Sequence, residues 1–157
     1  MIDSIDRKIL EILQENARES NAAIARQVDL AASAVLERIR KLERNGVLEG
    51  YEARLNPRAL GLGLLAYVFV RTEEVASEDS AGEALAALPE VLEVHHVAGE
   101  DCYLVKVRAT SGSDLGRLLR KRIGCIPAVV STRTTVVLDS MKETGRLPLE
   151  MQQEESS

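Results

Sequence analysis

The residues best suited to chemistry lie between Ser33 and Arg44, within SAVLERIRKLER. Advancing about 100° per residue from Val35, the apolar Val35, Ile39 and Leu42 fall within roughly 40° of one line, while Ser33, Glu37, Arg40 and Arg44 cluster opposite. Ala34 and Lys41 occupy a shoulder of the outer face. Arg38 lies at the edge of the apolar line, where its stem can pack while the guanidinium emerges. A helix with this face fits the major groove, Ser33, Glu37, Arg40 and Arg44 toward base edges and Arg38 and Lys41 toward phosphates. A solvated helix face would look the same, and this segment alone leaves both readings open.

Other polar groups carry weaker signals. Gly99-Glu100-Asp101 is an acidic tight turn that can accept from an ammonium group or cap a strand. His95 and His96 are adjacent, so on a strand they point to opposite faces and cannot share a metal. Cys102 and Cys125 lack CxxC or CxxH spacing and read as reduced, buried thiols. No Ser or Cys has an evident base partner, so no catalytic residue, metal ligand or cofactor is expected. Lys106 and Arg108 share one strand face, and Arg117, Arg120, Lys121 and Arg122 crowd one helix end, where they complement its dipole.

The elements that must position these groups follow from local pattern. Asp3 can cap a helix with apolar Ile5, Ile9, Ile12 and Leu13, ending near Asn16. Ser20 caps a second helix with Ile24 and Val28 inward; Asp29-Leu30 turns the chain, and Asn45-Gly46 stops the third helix. These three form a helix-turn-helix, winged-helix-like domain over residues 1–55. Asn56-Pro57 breaks the chain and 56–63 is the linker. Residues 64–150 then read as a strand at 64–72, a helix at 80–88, strands at 91–97 and 103–108, a helix at 113–122 and a strand at 129–138. That β-α-β-β-α-β order predicts a ferredoxin-like sandwich and an α+β protein. A short edge element is expected at 146–149 and a disordered tail at 151–157.

Composition narrows the class. Net charge is −5, yet residues 33–44 hold four basic and two acidic groups, so positive charge is local to one helix. No apolar run approaches the ~20 residues needed to span a bilayer, and MIDSIDRK lacks a signal-peptide core; the expectation is a cytoplasmic protein without membrane contact.

Four ordered stretches, IDRKILEILQENAR, VLERIRKLERNGVLEGYEARLNP, VLEVHHVAGEDCYLVKV and IPAVVSTRTTVVL, together resemble the Lrp/AsnC family, the feast/famine regulators of bacteria and archaea. The resemblance covers nearly the whole chain. It implies a regulator that binds double-stranded DNA and a small-molecule effector, usually an amino acid, and assembles as homodimers and commonly octamers. It also implies effector residues Val97, Gly99, Glu100, Asp101, Cys102 and Tyr103 with Thr132, Thr134 and Val136. Two positions depart from the family: Asp29-Leu30-Ala31 replaces the frequent Gly-Leu-Ser, and Cys102 stands where many members have an acid. A metabolic enzyme or allosteric subunit on the ferredoxin-like half is the alternative.

Overall fold

The computed structural model describes residues 2–73 and 80–149. Two compact units emerge, one made of the chain up to Arg54 with the segment from Glu143 onward, the other of Leu55–Lys142.

In the first unit, α1 (Ser4–Glu15), α2 (Asn21–Val28) and α3 (Ala32–Arg44) form the three-helix domain. Asp3 caps α1 in a reciprocal box, accepting from the Asp6 amide at 2.8 Å while Asp6 accepts from the Asp3 amide at 3.2 Å. Ser20 caps α2 through the Ala23 amide. Asp29 ends α2 in the left-handed conformation (φ 53°, ψ 50°), so a short polar residue serves where glycine is commoner. Val35 and Ile39 pack with Ile9, Ile12, Leu13, Ile24 and Ala25, and Leu42 is buried as well. Each of these Val, Ile and Leu side chains contributes about 1.5–3 kcal/mol by leaving water.

Residues 47–55, which follow α3, carry no sheet ladder. Residues 143–149 group with the first unit, and the edge element expected at 146–149 forms no strand. Gln14 mimics a strand rung instead: its amide donates to the Leu147 carbonyl at 3.1 Å and accepts from the Leu147 amide at 2.7 Å. Arg7 donates to the Leu149 carbonyl at 3.0 Å and Arg54 to the Glu143 carbonyl at 3.3 Å. The tail expected at 151–157 lies outside the described residues.

The second unit begins with residues expected as linker. Asn56 starts it as a side-chain turn, accepting from the Arg58 and Ala59 amides. β1 (Leu64–Thr72), α4 (Ser80–Ala86), β2 (Val91–His96), β3 (Tyr103–Ala109), α5 (Gly112–Lys121), a 3₁₀ turn (Ile123–Cys125) and β4 (Val129–Val136) follow. The strands form an antiparallel sheet in the order β2-β3-β1-β4, the expected sandwich topology. Ala66, Val68 and Val70 of β1 and Tyr103, Val105 and Val107 of β3 meet Ala81, Leu85, Leu115, Leu118 and Ile123 in one core, so both helices lie on one sheet face. The opposite face carries Tyr67, Phe69, Leu104 and Lys106, all partly exposed.

Candidate functional site

On α3 the outer residues stand where the helical angles predicted. Ser33, Glu37, Arg40, Lys41 and Arg44 are exposed, Ala34 is half-buried, and Val35, Ile39 and Leu42 are buried. Arg40 donates to Glu37 at 3.1 Å one turn back, a solvated pair that costs little to exchange for a DNA contact. Arg38 departs from expectation. Its guanidinium is held at 2.6 Å by Asp3 and 2.7 Å by Asp6, across from α3 to the start of α1. Arg38, expected toward phosphates, is held here by an ion pair within its own domain. The Asp3 carboxyl is held below its ordinary range, chiefly by the Asp6 amide and next by Arg38, and the same carboxylates raise Arg38. Asp6 is buried, the one charged residue so placed among the described residues.

The acidic turn joins β2 to β3. The Val97 amide donates to the Cys102 carbonyl at 2.9 Å, closing the loop, and Gly99 adopts φ +134°. Cys102 donates its thiol hydrogen to the Thr72 carbonyl at 3.7 Å, and Cys125 is exposed, correcting the expectation that it is buried. Strand register sorts the expected effector residues onto two faces. His96, Tyr103, Val70 and Thr132 make one rung on the helix-covered face, with the His96 and Tyr103 rings stacked 5.1 Å apart; Thr134 and Val136 share that face. Asp101 instead meets Arg133 at 2.8 Å, and Arg133 lies 4.1 Å over the Phe69 ring on the opposite face. Glu100 and Gly99 are exposed.

Sequence reading did not single out Arg133, Phe69 or Gly82, where an added Cβ would meet Tyr103 Cε1 at 2.9 Å. Arg133 carried a signal, as the sole charge in the run from Ile126 to Leu138. Other polar groups of the second unit pair with one another: Glu93 with Lys106 at 3.0 Å and His95 at 3.2 Å, and Arg117 with Asp114 at 2.6 Å. The Lys106 hydrogen bond, then that of His95, lowers the Glu93 carboxyl.

A helix-turn-helix presenting an exposed basic face, with a separate βαββαβ unit, defines a two-part regulator class. Comparison with known proteins agrees. Residues 2–43 match the AsnC-type helix-turn-helix domain and residues 65–147 the Lrp/AsnC ligand binding domain. The chain belongs to the Lrp/AsnC family of transcriptional regulators. It is 37% identical over 148 residues to the HTH-type transcriptional regulator FL11 of Pyrococcus horikoshii, spanning 94% of this chain and 97% of that one. It is 38% identical over 148 residues to the leucine-responsive regulatory protein of Escherichia coli, spanning 93% and 90%. Among solved structures, a Neisseria meningitidis transcriptional regulator in complex with L-Met superposes with a TM-score of 0.87 at 30% identity, covering 96% of this chain and 98% of that one. The feast or famine regulatory protein of M. tuberculosis complexed with L-methionine gives 0.86 at 35% identity, covering 94% and 99%.

Proposed function

We propose that this chain reads DNA sequence through α3 and changes its DNA binding when an amino acid occupies the second unit. The observation that carries the reading is the α3 face itself: Ser33, Glu37, Arg40, Lys41 and Arg44 exposed together above a buried Val35–Ile39–Leu42 seam. Arg40, beside Ser33, Glu37 and Arg44, faces base edges; Lys41 and the neighbouring Ala34 backbone sit toward phosphates. Val97, Gly99, Glu100, Asp101, Cys102 and Tyr103 with Thr132, Thr134 and Val136 form the effector region. The methionine complexes of the two solved relatives support an amino acid. Because Asp101 already engages Arg133, an arriving ammonium competes for that carboxylate or uses Glu100. The mode of action is binding rather than catalysis, supported by both thiols donating to backbone carbonyls rather than to a histidine base. The working form is a cytoplasmic homodimer that builds toward an octamer.

The test is paired. Arg40→Ala should lower affinity for a selected operator duplex about 5- to 150-fold, the equivalent of roughly 1–3 kcal/mol, with little change on random duplex. Lys41→Ala should weaken both together and flatten the salt dependence. Equal losses on both duplexes for both variants would refute the facing assignment.

A further inference from the structure

The α3 helix lacks what usually fixes a helix start. Its N-cap position is Ala31, which makes no side-chain cap hydrogen bond. Its three buried side chains hold it by apolar contact, which is strong but has no preferred direction, so they resist separation better than rolling or sliding. A groove reader needs the opposite emphasis, because hydrogen bonds to base edges fail over displacements of a few tenths of an ångström to an ångström.

Arg38 supplies the missing direction. It leaves α3 one residue before Ile39 and places one guanidinium nitrogen, Nη1, within 2.6 Å of Asp3 Oδ2 and 2.7 Å of Asp6 Oδ1. Both carboxylates are themselves fixed by backbone: Asp3 Oδ1 accepts from the Asp6 amide and Asp6 Oδ2 from the Asp3 amide. Each carboxylate thus uses one oxygen to cap α1 and the other to grip α3. Charge-assisted bonds of this length are directional, and the Asp6 side chain is only 6% exposed, so water competes weakly at that end.

We propose that Arg38, clamped by the capping box of α1, is a positioning residue that sets the roll of the recognition helix and through it the discrimination between DNA sequences. The proposal rests on reading α3 as the groove helix. It assigns a specificity role to Asp3 and Asp6, two acids that cap α1 and whose charge by itself repels the polyanion.

That sign conflict supplies the test. Asp3→Asn keeps a good capping oxygen and removes one negative charge, so simple electrostatics strengthens binding to every duplex. The clamp instead predicts that the ratio of affinities for selected and random duplex falls at least fivefold. The full-length wild type is used to enrich a duplex from a random library, and both duplexes are titrated over a salt series. Arg38→Met, which keeps the apolar stem, should lose the same ratio with the salt slope unchanged. Both ratios within twofold of wild type would overturn the proposal. So would an equal loss on both duplexes for Arg38→Met with the slope reduced by about 0.9, the mark of a phosphate contact. Should Arg38→Met fail to fold by circular dichroism, Asp3→Asn decides alone. Were the wild type to enrich no sequence, the groove reading would fall and the clamp with it, whereas enrichment with unchanged ratios sinks the clamp only.

Discussion

Replacing Gly99 separates backbone strain from steric exclusion in the candidate effector loop. A Cβ built on Gly99 meets nothing within 4 Å, so a larger side chain has room. Its φ of +134° is the obstacle, since L-residues with a Cβ rarely adopt it. Holding a side-chain-bearing residue there costs about 1–3 kcal/mol, which the loop either stores or escapes by changing shape. Escape is the expected course, because 98–100 are exposed and the loop is held at its ends, where Val97 donates to Cys102 and Arg133 to Asp101. A reshaped loop carries Asp101 away from Arg133. Restoring the binding geometry then draws the same free energy from ligand affinity, a loss of roughly 5- to 150-fold. Since the penalty is conformational, Gly99→Ala and Gly99→Val should lose affinity alike, and the second unit's core, with Val105 and Val107 fully buried, should melt within a few degrees of wild type. Calorimetry of both variants against a panel of amino acids, beside thermal unfolding, is the assay. Wild-type affinity in Gly99→Ala with loss only in Gly99→Val would mean that size matters after all and the strain argument is wrong. If the wild type itself bound no amino acid, the effector reading would be refuted instead.

Two other expectations follow, one from the second unit's sheet and one from the pH response of carboxylates in both units. The open sheet face, with Tyr67, Phe69 and Leu104 only partly exposed and no helix of its own unit over it among the described residues, should pair with a second copy; a monomer mass by light scattering at micromolar concentration would contradict this. The Asp3 and Glu93 carboxyls are both lowered on folding. The stability they add is therefore present above the ordinary carboxylate pKa near 4 and lost as pH falls through their folded values. Both are solvent-exposed enough for screening, so each pair contributes only about 0.2–1 kcal/mol. Thermal midpoints from pH 7 to 3 should fall less steeply for Glu93→Gln than for wild type, and identical acid limbs would discount the Glu93–Lys106 pair.

Local chemistry wrote much of this protein legibly into the chain. Helix caps at Asp3 and Ser20, the left-handed Asp29, the Val35–Ile39–Leu42 seam and the two-residue alternation of Tyr103–Ala109 all depend on neighbours within a turn or a strand, so periodicity and residue type suffice to read them. What tertiary structure alone decided is which of those faces meet. Arg38 stood at the edge of its helix as its angle required, yet the two acids that pair with it lie 35 and 32 residues earlier. Arg133 finds Asp101 across 32 residues because β4 runs antiparallel beside β1 in a register that sets it over Phe69; one residue of slip would turn it to the other face. Gln14 and Leu147, 133 residues apart, draw the chain after Lys142 onto α1 instead of the sheet. Ion pairs and single side-chain rungs have no repeat to reveal them: any acid can satisfy any arginine, and only the packed arrangement of the elements selects one.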